Sequence, residues 1–388
     1  MSKQSLKIAV VTGSRAEYGL FKPLLRLIQK DRSLQLQLLV TGMHLSPEFG
    51  LTYQQIETDG YKIDEKVEML ISGDTDSAIV KSTAIGMMGM ADALQRLQPD
   101  WVVVLGDRFE TFAAAFAAHQ AKIPVAHLHG GELTEGATDD AMRHAITKMS
   151  FLHFTSTDIY RKRVIQLGES PERVLNVGAI GLESIRTLKT LSKKELEKQL
   201  DIKFGKLNFL VTYHPVTMEK QTAEQQVRQL LLALDRFPEA TLIFTMPNAD
   251  ADGRVIMRLL EQYAKKESDR VKLFTSLGQL RYLSALKQVQ LVIGNSSSGI
   301  IEVPDMHIPT INIGIRQQGR VKSETVIDTK TDTNSIIKAI RHSLSPEFSR
   351  KIKKASNPYN KKGTAAAIVA RIRKAGKLSS VKKKFYDL

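Results

Sequence analysis

Short apolar runs, each stopped by glycine or a polar cluster, recur along the chain. KIAVVTG leads through a polar loop into the amphipathic FKPLLRLIQK, and LQLQLLVTG, DWVVVLGD and IPVAHLHGG follow. Continuous apolar runs of this kind are how parallel strands buried on both faces read. FLHFTS and RVLNVG extend the series, with helices predicted at 108–121, 138–149 and 157–168. The charged stretch KTLSKKELEKQLDIKFGK, at 189–206, interrupts the rhythm, which restarts with NFLVTYHP, ATLIFTMPN, VKLFTS, LVIGNSSSG and TINIG. The pattern predicts an α/β protein with two Rossmann-like doubly wound domains, residues 1–188 and 189–388, and an interdomain cleft. The closing GTAAAIVARIRKAGKLSSVKKKFYDL reads as a basic amphipathic helix, one side packed and one solvated, followed by a short extension.

A length of 388 residues suits two domains. Hydrophobic content of 42% and charged content of 25% are those of a globular protein in water. The chain has no cysteine, which removes disulfides, thiolate nucleophiles and cysteine-ligated zinc, and makes the cytoplasm its natural compartment. The N-terminal apolar run is short, and no window approaches the ~20 apolar residues of a membrane span, so neither leader nor anchor is read. The net charge is +15, but its lysines and arginines are dispersed and not interleaved with an aromatic RNA-binding motif. No nucleic-acid partner is expected, whereas a small polyanion such as a nucleotide diphosphate suits a basic protein.

Ligands of such sheets sit outside the carboxyl ends of the strands, and several strand-end loops are chemically loaded. GSRAEYG, at 13–19, lacks the G-x-G-x-x-G spacing, so no dinucleotide cofactor is indicated; Arg15 is a phosphate ligand or else the partner of Glu17. GDRFE places Asp107 at a strand mouth, where capping the next helix is its plain alternative. In HLHGGE, strand alternation puts His127 and His129 on one side, while Gly130 and Gly131 permit a turn that returns Glu132 to the same place. Four groups, Asp107, His127, His129 and Glu132, would then converge and supply an acid and a base at one pH. A metal reading of H-x-H-x-x-E competes, but no further ligand spacing supports it. In TDDAMRH the pairs Asp139 with Arg143 and Asp140 with His144 stand four apart, worth ~0.3 kcal/mol each as plain helix support.

The second half supplies an anion side. GNSSSGIIEV, at 294–303, is a glycine- and hydroxyl-rich turn into a helix that suits a diphosphate and lacks the P-loop lysine, so ATP hydrolysis is disfavoured. A serine-rich cap is its plain alternative. Glu302 is placed to accept hydrogen bonds from a ribose diol. His214 in TYHP, Arg316 in NIGIRQQGR, and Asn248 and Asp250 in MPNADADG follow other strands of the same half.

Taken together, GSRAEYG, VTGMH, GDRFE, HLHGGE, the DD-x-x-RHAITK helix, NSSSG-x-x-EV and INIG-x-RQ-x-GR resemble the hydrolysing UDP-N-acetylglucosamine 2-epimerases of bacterial sialic-acid synthesis. The resemblance runs through nearly the whole chain, down to FYD. It implies a glycosyltransferase-B-like fold, no metal or other cofactor, a dimer or tetramer of identical chains, and a nucleotide-sugar substrate. By position it assigns catalytic carboxylates to Asp107 and Asp139, with Arg143 beside the latter. Nucleotide contacts fall on Arg15, His214, Asn248, Ser296, Ser297, Glu302 and Arg316. The wider family often has a glutamate where this chain has His129. The relatives that hydrolyse nucleotide-linked N,N'-diacetylbacillosamine toward legionaminic acid share these motifs, and a glycosyltransferase or a nucleotide-sugar-binding regulator would use the same fold.

The chemistry implied explains the crowd of ionisable groups. The C2 proton of an N-acetylhexosamine has no adjacent ring carbonyl, so the C1–O bond must loosen before a side chain can take it. UDP leaves, a 2-acetamidoglucal forms, and water adds at C1 while C2 is protonated from the other face. Two proton-transfer groups on two faces of the ring are needed, each contributing ~10²–10⁴ in rate.

Overall fold

The computed structural model describes residues 5–73, 75–219, 222–248, 250 and 252–388. The first four residues of the segment read for a leader lie outside them. The chain divides into two units: residues 1–132, 139–186 and 359–388, and residues 133–138 with 187–358.

The first unit is built on β1 (Leu6–Thr12), β2 (Leu34–Thr41), β3 (Glu65–Val67), β4 (Trp101–Leu105), β5 (Val125–Leu128), β6 (Leu152–Thr155) and β7 (Val174–Asn176), in the spatial order β3-β2-β1-β4-β5-β6-β7. All its pairings are parallel. Alternation along the strands feeds two cores. Ile8, Val10, Trp101 and Val103 join one apolar cluster, and Ala9, Val11, Val102 and Val104 join another on the opposite face. A sheet covered on both sides has no polar face to show, which is why its central strands read as unbroken apolar runs. The predicted helices form at Phe109–Gln120, Asp139–Met149 and Asp158–Gln166.

The second unit repeats the plan with β8 (Leu207–Thr212), β9 (Ala240–Thr245), β10 (Val271–Phe274), β11 (Leu291–Gly294), β12 (Thr310–Ile313) and β13 (Val326–Thr329), ordered β10-β9-β8-β11-β12-β13 and parallel throughout. In both units strand order reverses beside the first strand, between β1 and β4 and between β8 and β11. Those reversals are where such sheets open to ligands. The loops GSRAEYG and GDRFE flank the first, and TYHP and NSSSG flank the second.

The division differs from the 1–188 and 189–388 expectation at two places. Tyr359–Leu388 returns to the first unit, because the apolar stripe Ala365, Ile368, Val369 and Ile372 of the helix Thr364–Ala375 completes the cluster of Phe21, Leu24, Leu25 and Ile28. Trp101 Nε1 fixes the end of that helix by donating to Gly376 O at 2.8 Å. Leu133–Thr138 belongs to the second unit, held there by Met218 N donating to Gly136 O (3.2 Å) and Thr138 N donating to Thr217 Oγ1 (3.0 Å).

Candidate functional site

In the first unit, Arg143 organises the strand-end loops. It lies on the helix Asp139–Met149, is 1% exposed, and forms an ion pair with Asp107 at the mouth of β4. Its Nη1 donates to Glu132 O at 2.7 Å and to Asp140 Oδ1 at 3.1 Å. Asp107 is therefore the partner of a buried guanidinium, and the cap position of the helix Phe109–Gln120 is Arg108. Asp140 also stands 3.5 Å from His144 Nε2. Asp139 opens the same helix.

β5 ends at Leu128, and His129 takes a left-handed φ of 65°, so the alternation that was to align His127 with His129 stops between them. The two histidines diverge in environment. His127 is fully buried; its Nε2 donates to Gly106 O at 2.7 Å and its Nδ1 lies 3.3 Å from Thr147 Oγ1. Burial pushes its pKa down to about 3, so it is a neutral ring with both nitrogens engaged. His129 instead turns back on the glycine turn. Its Nδ1 meets Glu132 Oε1 at 2.8 Å, and Ser156 Oγ donates to the same oxygen at 2.6 Å. A carboxylate oxygen accepts, so Nδ1 carries the hydrogen and a neutral ring keeps its lone pair on Nε2. That Nε2 is buried and has no hydrogen-bond partner. Glu132 is 1% exposed and orients this ring. Gly131 has φ 78°, and a Cβ there would stand 2.5 Å from Tyr160 O, so the tight turn requires glycine at this point. Asp107, Arg143, His129 and Glu132 are thus brought together, with Asp139 one turn along the helix from Arg143, while His127 lies beneath them. Ser156 was not singled out from the sequence; a serine in FTST carries no motif that marks it.

Arg15 is partly exposed at the start of the helix Arg15–Lys30. Its suggested partner Glu17 points inward, where Oε2 accepts from Gly13 N at 2.6 Å. Burial raises the Glu17 carboxyl from 4.5 to about 7, and the neighbouring Glu110 carboxylate adds to the rise.

In the second unit the organising residue is Asn295, a position in NSSSG that the sequence does not single out. Its Oδ1 accepts from His214 N at 2.7 Å and its Nδ2 donates to His214 O at 2.8 Å, tying the end of β11 to the end of β8. Its own carbonyl accepts from Arg316 Nη1 at 3.1 Å and Gln317 Nε2 at 2.9 Å. His214 Nδ1 accepts from Asn248 N at 3.4 Å. His214, Asn248, Arg316 and the serines are therefore linked around one strand-end locus. Gly294 has φ 136°, and a Cβ there would fall 1.8 Å from Thr212 O, so only glycine lets β11 lie against β8 at this point. Ser296 and Ser297 are half-buried and precede a single helical turn, Ser298–Ile301, which runs into the 3₁₀ turn Val303–Met306. The helix expected after NSSSG is thus one turn. Glu302 is half-buried at its end, and Ser298 Oγ pairs with Tyr282 OH. Asp250 lies in the loop that follows β9.

Among the described residues, no three His, Asp or Glu side chains are grouped to hold a metal ion, and no helix is long and apolar enough to cross a membrane. Residues 26–373 match the family model described as UDP-N-acetylglucosamine 2-epimerase. The chain is 44% identical over 348 residues to a GDP/UDP-N,N'-diacetylbacillosamine 2-epimerase (hydrolyzing) of Campylobacter jejuni, covering 90% of this chain and 89% of that one. It is 40% identical over 387 residues to the polysialic acid biosynthesis protein P7 of Escherichia coli, covering 98% and 97%. Its fold matches the crystal structure of the UDP-GlcNAc 2-epimerase of Neisseria meningitidis bound to UDP-GlcNAc, with TM-score 0.78 at 20% identity over 95% of this chain and 100% of that one. Two parallel Rossmann-like units with loaded loops at both strand-order reversals, together with these matches across the chain, place the protein in the UDP-N-acetylglucosamine 2-epimerase family.

Proposed function

We propose that the protein is a hydrolysing 2-epimerase that converts UDP-N-acetylglucosamine and water to UDP and N-acetylmannosamine. The observation that carries this reading is His129: one ring nitrogen is fixed by a buried carboxylate and the other is left with a lone pair, beside the Asp107–Arg143 pair. This is how a general base is prepared. His129 Nε2 takes the C2 proton as the C1–O bond breaks, and Glu132 stabilises the imidazolium that forms. UDP leaves with the bonding electrons of C1–O, and 2-acetamidoglucal remains. Water then adds its hydroxyl to C1, and Asp139 and Asp107 handle the proton of that water and the one delivered to C2 from the opposite face. Arg15, His214, Ser296, Ser297 and Arg316 stabilise the charge gathering on the diphosphate, Asn248 supports His214, and Glu302 receives the ribose hydroxyls.

A second reading keeps the reaction and changes the sugar: a nucleotide-linked N,N'-diacetylbacillosamine. The 44% identity to the Campylobacter jejuni protein favours it. Incubation with UDP-N-acetylglucosamine and with UDP- and GDP-linked diacetylbacillosamine, followed by mass spectrometry, decides. Free N-acetylmannosamine with stoichiometric UDP supports the first reading, and release only from the diacetamido sugar supports the second. A sugar transferred to an acceptor, or no product from any of them, defeats both.

A further inference from the structure

Away from the site, the first unit buries a second set of charges that the proposed chemistry does not use. Glu169 is 1% exposed and accepts from three cations or rings drawn from three places in the chain. Lys148, in the last turn of the Asp139–Met149 helix, donates to Oε1 at 2.7 Å and to Leu167 O at 2.9 Å. His153 Nε2, on β6, lies 3.1 Å from Oε2. Lys383, in the C-terminal segment Tyr359–Leu388 of the first unit, reaches both carboxylate oxygens at 2.7 Å and Ser150 O at 2.7 Å. Ser150 directly follows the Asp139–Met149 helix. Burial alone would raise the Glu169 carboxyl, but His153, Lys148 and Lys383 reverse this and hold it at about 2.

The segment around Lys383 is seated by more than one ion pair. Tyr386 N donates to Gly168 O at 2.9 Å, and Lys148 Nζ stands 4.9 Å from the Phe385 ring. The ring occupies the space a side chain at Gly168 would need: a Cβ there would lie 2.3 Å from Phe385. Gly168, at φ 85°, is thus both a left-handed turn and the floor under an aromatic residue. All these contacts close on the C-terminal end of the helix whose first two turns carry Asp139 and Arg143. Cations at that end also complement its unpaired carbonyls.

Resting on the reaction proposed above, we propose that residues 378–388 act as a strap that fixes the Asp139–Met149 helix through Glu169, with Lys383 and Phe385 as positioning residues for the proton-transfer groups. A rotation of that helix moves Asp139 and the Arg143 guanidinium together, and displacements of about 1 Å at reacting groups cost ~10²-fold. Nucleotide binding, assigned to the second unit and Arg15, is left as it was.

The test uses the full chain with Lys383→Met, Lys383→Arg and Phe385→Ala, each checked for a cooperative thermal transition. Steady-state kinetics on whichever nucleotide sugar is turned over are paired with amide hydrogen exchange. The expected result for Lys383→Met and Phe385→Ala is a kcat lowered about tenfold or more, a KM within twofold, and faster exchange confined to residues 143–150 and 167–169. Lys383→Arg should recover kcat to within about threefold. Unchanged kcat, or exchange that quickens evenly through the first unit, overturns the strap. If wild type turns over none of the sugars, the reaction proposed above fails on its own, and the exchange pattern still decides whether the strap holds the helix.

Discussion

Replacing Glu132 with glutamine removes a negative charge from a buried site while keeping the side chain's size. Glu132 Oε1 receives the His129 Nδ1 hydrogen at 2.8 Å and the Ser156 hydroxyl at 2.6 Å, and almost no water reaches it. When His129 takes the C2 proton, its Nδ1 bond becomes one between ions. Hydrogen bonds to charged groups are worth ~1.5–3 kcal/mol against ~0.5–1.5 between neutral groups, and the ion pair is the stronger kind. The loss is felt mainly in the transition state and amounts to roughly 1–2 kcal/mol, or about 5–30-fold in kcat. If the amide turns its NH₂ toward Nδ1, the ring must carry its hydrogen on Nε2 and is no longer a base, and the fall approaches ~10⁴-fold, as for a triad histidine in the wrong tautomer. KM for the nucleotide sugar should stay within twofold. UDP release measured by a coupled assay gives both constants, with thermal unfolding as the control for folding. A Glu132→Gln enzyme with kcat within twofold of wild type would remove His129 and Glu132 from the proton path and return that role to Asp107 and Asp139.

Arg316→Ala should lower kcat and raise KM together, because the diphosphate gains charge as C1–O breaks, whereas Glu302→Ala should raise KM and weaken UDP binding by calorimetry with little change in kcat. Gly294→Ala should cost ~3 kcal/mol or more by urea unfolding, since its Cβ would overlap Thr212 O and its φ is 136°; a normal midpoint would contradict the close approach of β11 to β8. Glu17 gives a pH signature. Its folded-state pKa of about 7 lies above the ordinary 4.5, so the folded chain holds a proton that the unfolded chain has lost between those values. Its contribution is full below 4.5 and is lost as pH rises through 7, by roughly 3 kcal/mol in all. Unfolding of Glu17→Gln should show a shallower decline across that window, and an unaltered slope would refute the burial argument.

The central strands of both sheets were legible because burial on two faces leaves no polar position in them, and the stops between them are the ligand-bearing loops. The edge strands β3 and β13 were not: GluLysVal and ValIleAspThr are short, partly exposed and half polar, so no apolar run announces them. The charged stretch at 189–206 marked the passage into the second unit, but an amphipathic helix says only that one side is packed, never against which core, and the helix Thr364–Ala375 went back to the first. At the site, the loops and most residue identities could be read, but their pairings could not. His127 and His129 part company because a non-glycine residue takes a left-handed backbone, a choice fixed by the fold around it and invisible to periodicity. Arg143 was matched to Asp139 by helix spacing, while the structure adds Asp107, Asp140 and the Glu132 carbonyl from other turns and strands. Asn295 and Ser156 act through side-chain hydrogen bonds made across long sequence separations, and small polar residues in loops give no sign of such partners.

Elimination followed by hydration is the central claim, and the fate of the C2 hydrogen tests it most directly. Turnover in deuterium oxide, with the free sugar analysed by proton NMR and mass spectrometry, should give one deuterium at C2, because the original proton leaves with the base and its replacement comes from groups in exchange with solvent. In parallel, oxygen-18 from water should enter the C1 hydroxyl of the sugar and not UDP. A free sugar that keeps its C2 hydrogen, or label found on the phosphate, would contradict the mechanism.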